Sequence, residues 1–271
     1  MRGKNGERMN VGNYLLLGSG TFSDVLKFDG IEDDNAFVKM PKSDRGTKAL
    51  HDEVKVLKDL GGHVCIPELY DPADPIKVLD IRIRCESAHR PCLPLRGIIG
   101  RAMSFDLKWS SDTLKFIFED VYDALEYAHA KGWAHMDIQP SNIIIRVDPY
   151  TCRLTVMLAD WGCAQRKDTE LLGFVGCSEY AHDELFGITK AWMPRLDHDL
   201  ASLVYTVASL SHGSIPWQSL FQDRHAVVDN DKKDRLEKAT EAFMPLHKTL
   251  ELSPEVKGAF LSAIGYQEEK P

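Results

Sequence analysis

The order of the predicted secondary structure elements constrains this fold most strongly, because strands come first and helices follow. The pattern predicts a strand–turn–strand over Tyr14 to Phe28, a strand over Ala36 to Met40, and strand-like segments between residues 66 and 99. Apolar residues at helical spacing predict helices over Lys48 to Leu60 and Asp112 to Lys131. A hairpin and a mostly helical end after about residue 180 complete the pattern. This segregation predicts an α+β fold in two parts.

The composition excludes several classes of function. The 271 residues include 41 acidic and 33 basic ones, and a net charge of −8 argues against broad binding of nucleic acid or anionic membranes. No apolar run approaches the roughly 20 residues that span a bilayer, and residues 1–11 lack the apolar core of a signal peptide. The six cysteines are scattered, which indicates reduced thiols. We therefore expect a cytoplasmic protein, with the nucleus or a host cell as alternative locations, and neither a nucleic-acid nor a membrane partner.

A glycine-rich segment, Gly18-Ser19-Gly20-Thr21-Phe22-Ser23-Asp24-Val25, joins the first two predicted strands. Glycines allow the backbone to approach phosphate oxygens and to point N–H groups at them. The plain alternative is an ordinary hairpin turn, which such a segment usually is. A dinucleotide-binding fingerprint is excluded, because a strand and not a helix follows the glycines.

Lys39 interrupts the apolar strand Ala36 to Met40, where a lysine is costly unless it has a partner or faces a cleft. The next predicted helix carries Glu53, which would hold the lysine and orient its amine toward a phosphate. The alternative is an edge-strand lysine whose amine lies in water. The local sequence leaves both interpretations open.

Polar residues cluster directly after the long predicted helix. Asp137 and Asn142 precede the predicted hairpin, and Asp160-Trp161-Gly162 follows its second strand. We expect Asn142 and Asp160 to meet at one end of the hairpin, where oxygen atoms suit Mg²⁺ shared with a nucleotide. Asp137 would accept a proton from an attacking hydroxyl. Each of these short patterns alone is more often a turn or a cap.

Taken in order, these motifs resemble those of the eukaryotic-type protein kinase superfamily, of which the chain looks like a divergent, minimal member. The resemblance covers about residues 14–217, and its motifs are the Gly-rich loop, Lys39, Glu53, His135-Met136-Asp137, Asn142, Asp160-Trp161-Gly162, residues 176–184 and Asp199. It implies a two-lobed protein-kinase-like fold with a small β-rich N-lobe and a mostly helical C-lobe. We expect a tail over residues 1–13, the N-lobe over 14–98 and the C-lobe over 99–271.

The resemblance also implies a phosphotransferase that uses ATP and Mg²⁺, with Mn²⁺ as an alternative, to modify serine or threonine in a protein substrate. Lys39 would hold the phosphates and Glu53 would hold Lys39. Asp137 would be the catalytic base with Gln139 beside it, and Asn142 and Asp160 would bind the metal. The residues expected to contact the nucleotide are Gly18, Ser19, Gly20, Thr21, Phe22, Ser23, Val25, Phe37, Lys39 and Ile144. No oligomeric state is predicted.

Three departures from the family pattern lie after the long helix. Met136 replaces the arginine of the HRD motif, which pairs with a phosphorylated activation loop, so we do not expect phosphorylation to switch the protein on. Gln139 replaces a lysine and Cys177 a threonine, and the missing positive charge predicts slow turnover or an altered acceptor. Glu184 keeps the glutamate of the APE motif, but no arginine follows Arg235 to pair with it.

A fourth departure concerns Phe37, which stands two residues before Lys39 where the family has a small alanine. Strand alternation puts both side chains on one face, so the ring should point at the adenine pocket and either stack on a displaced base or block it. This favours an alternative function, a weak or inactive pseudokinase that serves as a binding or regulatory module. A further alternative is a kinase-like transferase for a small molecule. Asp197 and His198 are expected to be a solvated helix start rather than a metal site.

Overall fold

The fold was derived from a computed structural model, which describes residues 10–11, 14–28, 33–71, 73, 77–83, 86–185, 190–216, 234 and 238. The chain forms two compact units. The first contains the described residues up to Arg101 together with Ile144–Gly162, and the second contains Ala102–Ile143 and the described residues from Cys163 onward. Strands dominate the first unit and helices the second, so the predicted α+β class is confirmed.

A seven-stranded sheet forms most of the first unit. Its strands are β1 (Asn10–Val11), β2 (Tyr14–Ser19), β3 (Ser23–Phe28), β4 (Ala36–Pro41), β5 (Glu68–Leu69), β6 (Lys77–Ile83) and β7 (Glu86–Arg96). The spatial order is β1-β6-β7-β4-β3-β2, with β5 beside β7. The pairs β2–β3, β3–β4, β4–β7, β5–β7 and β6–β7 are antiparallel, and β1 runs parallel to β6. Lys39 therefore lies on β4, between β3 and β7.

Helix α1 (Asp44–Leu60) packs its apolar side into the first unit. It begins four residues before the predicted start at Lys48, because the hydroxyl of Ser43 accepts a hydrogen bond from the N–H of Gly46 and caps the helix. Leu50, Leu57 and Leu60 are buried on one side of α1, as helical spacing requires. The buried face also carries the carboxylate of Glu53.

A hairpin joins β10 (Ile143–Val147) to β11 (Leu154–Leu158). Its turn is held by Asp148, whose Oδ1 accepts hydrogen bonds from the N–H groups of Tyr150 and Thr151 at 2.9 and 2.7 Å. The N–H of Leu158 donates to the carbonyl of Cys65 at 2.8 Å, which ties the hairpin to the rest of the first unit.

The second unit is built on two helices. Helix α2 (Ser111–Ala130) is capped by the hydroxyl of Ser110, and helix α3 (Leu196–His212) ends at Gly213 in the left-handed region. Strand β9 (Trp133–Ala134) pairs with β12 (Gln165–Arg166), and the short strand β8 (Arg101–Ala102) precedes α2. Apart from residues 234 and 238, the predicted helical end after residue 216 lies outside the described residues. Within the described part of the chain, no helix is both long enough and apolar enough to span a membrane.

Candidate active site

The Gly-rich segment forms the tight connection between β2 and β3. The N–H of Gly20 donates to the carbonyl of Ser23 at 2.9 Å, and the amine of Lys42 donates to the carbonyl of Gly20 at 2.7 Å. Val25 lies opposite Gly18 on one side and opposite Lys39 on the other. The turn is therefore held beside the strand that carries Lys39. Of its other predicted nucleotide contacts, Ser19 and Thr21 are exposed, Phe22 is half-buried and Ser23 is buried.

Lys39 is held by two carboxylates within the first unit. Its amine lies 3.0 and 2.7 Å from the two carboxylate oxygens of Glu53 and 2.8 Å from Oδ1 of Asp160. Lys39 is 5% exposed and Glu53 is 1% exposed. Burial alone would lower the pKa of Lys39, but Asp160 and Glu53 raise it above its ordinary 10.5. The amine of Lys39 is thus a fixed positive charge. Of its two carboxylate partners, Asp160 reaches solvent, since its side chain is 47% exposed.

Asp160 and Trp161 follow β11 after one intervening residue, in a constrained backbone. Asp160 has a φ of 63°, in the left-handed region that is uncommon for residues other than glycine. The N–H of Trp161 donates to Oε1 of Glu53 at 3.3 Å, and its indole N–H donates to the carbonyl of Leu158 at 2.9 Å. The fully buried ring of Trp161 therefore anchors the segment that presents Asp160 to Lys39.

Two further predicted nucleotide contacts also belong to the first unit. Phe37 is buried on β4, opposite Leu95 of β7. Ile144 is half-buried on β10. The predicted metal ligands are divided between the units, with Asp160 in the first and Asn142 in the second.

Asp137 lies in the second unit, in a loop where two amides hold its carboxylate. Nε2 of Gln139 lies 3.1 Å from each of the two carboxylate oxygens. Nδ2 of Asn142 donates to the Asp137 carbonyl at 2.8 Å and to its Oδ2 at 3.0 Å. These two neutral amides therefore help to orient the Asp137 carboxylate.

Asp199, at the start of α3, fixes the backbone of the loop that carries Asp137. Its carboxylate accepts hydrogen bonds from the N–H groups of His135 and Met136 at 2.7 and 2.8 Å, and pairs with Nε2 of His129 at 2.8 Å. Met136 has a φ of 65°, an unusual conformation for a long side chain. His135 is fully buried, and its Nδ1 accepts a hydrogen bond from the N–H of Asp137 at 3.2 Å.

Glu184 has local partners that the sequence analysis missed. Its carboxylate accepts hydrogen bonds from the guanidinium of Arg195 and from Nε2 of His198. Nδ1 of His198 accepts from the backbone N–H of Arg195 at 3.2 Å, which fixes the tautomer with the proton on Nε2. His198 is buried, so the expected solvated helix start is wrong for this residue. The described residues contain no cluster of three or more His, Cys, Asp or Glu side chains able to hold a metal ion.

Comparison with known proteins adds an independent finding. Residues 13–261 match the family described as protein kinase domain. The chain is 39% identical to the serine/threonine-protein kinase KSP1 of Saccharomyces cerevisiae over 74 residues. These residues are 27% of this chain and 7% of that protein. It is 30% identical to the Wee1-like protein kinase of Arabidopsis thaliana over 162 residues. These residues are 60% of this chain and 29% of that protein. The chain thus spans less than a third of the length of these relatives.

Proposed function

Because this chain belongs to the protein kinase family, we propose that it transfers the terminal phosphoryl group of ATP to a serine or threonine hydroxyl of a protein substrate inside the cell. The serine/threonine class is supported by Pro140 after Gln139, and by the name of the yeast relative.

The observation that carries the proposal is the buried contact of Lys39 with Glu53 and Asp160. A buried lysine with two carboxylate partners keeps its charge, and its position beside the Gly-rich turn suits the binding of phosphate oxygens. Glu53 holds the amine from the α1 side, so Lys39 needs no rearrangement before it meets a phosphate.

Asp160 in the first unit and Asn142 in the second each offer oxygen atoms of the kind that a hard cation such as Mg²⁺ prefers, with Mn²⁺ as the alternative. The 47% exposure of the Asp160 side chain leaves it accessible to an ion and a nucleotide from solvent. When bound, Mg²⁺ would neutralise phosphate charge during the transfer.

In the second unit, Asp137 would accept the proton of the attacking hydroxyl. The amides of Gln139 and Asn142 hold its carboxylate in one orientation, so it is ready to receive that hydrogen bond. Gln139 supplies no positive charge near the transferred phosphoryl group, so we expect slower turnover than a lysine at this position would give.

The test measures transfer of labelled phosphate from ATP, with Mg²⁺ or Mn²⁺, to generic protein acceptors and to the protein itself. Asp137→Ala and Asp160→Ala should each lower the rate by at least about 100-fold. Asp52→Ala is the matched control, because the Asp52 side chain is 44% exposed and pairs with Lys55, three residues further along α1. Equal labelling by wild type and both active-site variants would contradict the proposed function.

A second candidate function, that of a nucleotide-binding regulator without turnover, is favoured by one observation. The buried ring of Phe37 lies on β4 two residues from Lys39, on the same face. Binding of Mg²⁺ and ATP by a folded protein that transfers no label would support this candidate over the first.

A further inference from the structure

Gly97, the residue that follows β7, is covered by two buried side chains of the first unit. A methyl group placed on Gly97 would lie 2.4 Å from Sδ of Met157 and 3.4 Å from Cε1 of Phe37. Met157 on β11 is 2% exposed and Phe37 on β4 is 6% exposed. The thioether and the ring edge therefore occupy the space directly over the backbone at Gly97.

The same thioether also satisfies the backbone group next to Gly97. The N–H of Ile98 donates to Sδ of Met157 at 3.3 Å. A thioether sulfur is a weak acceptor, and methionine has a flexible, unbranched side chain. A stronger acceptor, such as a ring nitrogen, would therefore compete well for the Ile98 N–H if Met157 moved away.

The sheet geometry indicates which part of a nucleotide would reach this cluster. Ser23 of the Gly-rich turn lies opposite Pro41, and the N–H of Lys42 donates to the carbonyl of Phe22 at 2.9 Å, so the turn flanks the far end of β4. If Lys39 binds the phosphates next to this turn, the base extends along β4 in the opposite direction, away from the turn. Phe37 is the next side chain on that face, about 7 Å from Lys39 at the usual rise of a strand.

We propose, resting on the function proposed above, that Phe37 and Met157 fill the base-binding part of the nucleotide site. The chain then recognises the triphosphate and discriminates little between bases. A base can accept a hydrogen bond from the N–H of Ile98, and make further contacts there, only if it displaces Met157. The two side chains thus make nucleotide binding depend on the phosphates rather than on the base.

The experiment measures, by titration calorimetry in Mg²⁺, the affinities of the full chain for ATP, GTP and inorganic tripolyphosphate. For wild type we expect the three dissociation constants to agree within about threefold. Met157→Ala should bind ATP about tenfold tighter than tripolyphosphate, and Phe37→Ala should shift the ratio in the same direction. Met40→Ala is the matched control, because Met40 is a buried methionine on the other face of β4. It should leave the ratio unchanged.

Thermal unfolding of each variant checks that it is folded, and the wild-type comparison needs no variant at all. A wild-type preference of about tenfold or more for ATP over tripolyphosphate would overturn the inference, as would folded Met157→Ala and Phe37→Ala variants that keep the wild-type ratio. Lys39→Met should abolish binding of all three ligands. If neither ATP nor tripolyphosphate binds to wild type or to any variant, the proposed function itself fails, and the inference with it.

Discussion

The buried carboxylate of Asp199 accepts a hydrogen bond from the backbone N–H of Met136 at 2.8 Å, across 63 positions of the chain. This bond holds Met136 in a left-handed conformation, directly before the proposed catalytic base Asp137. The loop geometry therefore depends on a charge contributed by α3 rather than on the loop sequence alone.

Asp199 should make the stability of the protein sensitive to acid. Burial alone would raise the pKa of Asp199, but the hydrogen bonds and charge of His129 and the N–H of Met136 hold it below its ordinary 3.8. A depressed carboxyl pKa contributes stability that is present above about pH 4 and is lost as the pH falls through the folded value. We expect Asp199→Asn to cost about 3 kcal/mol at neutral pH and to flatten the loss of stability below about pH 4. Denaturant unfolding at several pH values measures both effects, and equal pH slopes would contradict the assignment.

Gly176 should tolerate no side chain. A Cβ at this position would lie 1.9 Å from the carbonyl oxygen of Met136, and the φ of 95° already favours glycine. We expect Gly176→Ala to cost at least about 3 kcal/mol and to reduce phosphotransfer. Gly173→Ala is the matched control, because Gly173 has a φ of 81° but nothing within 4 Å of the added carbon. That control should cost only about 1 kcal/mol in unfolding experiments, and similar losses at both glycines would show that the contact with Met136 does not matter.

A positive charge at position 139 should accelerate the reaction. The Gln139 amide contacts both carboxylate oxygens of Asp137, and a lysine amine there could also stabilise the transferred phosphoryl group. We expect Gln139→Lys to raise the turnover number about tenfold. Gln165→Lys adds the same charge on β12 and should leave turnover unchanged. A fall in turnover for Gln139→Lys would show that the neutral amide is required.

Phosphorylation of the segment after β12 should not be needed for activity. The N–H of Leu171 donates to the carbonyl of Trp192 at 2.8 Å, and the reverse bond measures 3.1 Å, so this segment is held by its own backbone. We expect Thr169→Ala and Ser178→Ala to keep turnover within about twofold of wild type. Trp192→Pro, which removes one of the two backbone bonds, should reduce turnover. A large loss in either alanine variant would refute this prediction.

The thiol of Cys177 should be unreactive although it lies in the loop region after β12. Burial raises the pKa of the Cys177 thiol, and its hydrogen bond to Oε2 of Glu179 at 3.1 Å raises it further. Cys152 is exposed in the hairpin turn. With iodoacetamide at about pH 8 we expect Cys152 to be modified at least about tenfold faster than Cys177, as followed by peptide mass spectrometry. Comparable rates would contradict the protonated state of the half-buried Cys177 thiol.

Much of the fold could be predicted from local patterns. The helical spacing of apolar residues predicts α2 to within one residue at each end, and the sequence also predicts the hairpin that begins at Ile143. The kinase resemblance is confirmed by the match over residues 13–261. These features depend on short-range periodicity and on turn chemistry, which leave a direct trace in the residue order.

The features that the sequence does not predict depend on contacts between residues that form no periodic pattern. The sequence offers Glu184 no arginine after Arg235, but the structure supplies Arg195 and His198, only 11 and 14 positions away. Met157 reads in the sequence as one more apolar strand residue, and its contacts with Gly97 and Ile98 follow only from the three-dimensional packing.

The placement of Ile144–Gly162 with the first unit has a consequence for how the chain can be made and divided. A ribosome releases Lys39 and Glu53 long before Asp160, which lies 121 positions after its lysine partner. During synthesis the Lys39–Asp160 ion pair cannot form until α2 and the hairpin have emerged, whereas the Lys39–Glu53 pair needs neither. For the same reason a fragment that stops at Arg101 leaves out β10, β11 and the second carboxylate of Lys39. Any transplant of the first unit must therefore carry two separate stretches of chain.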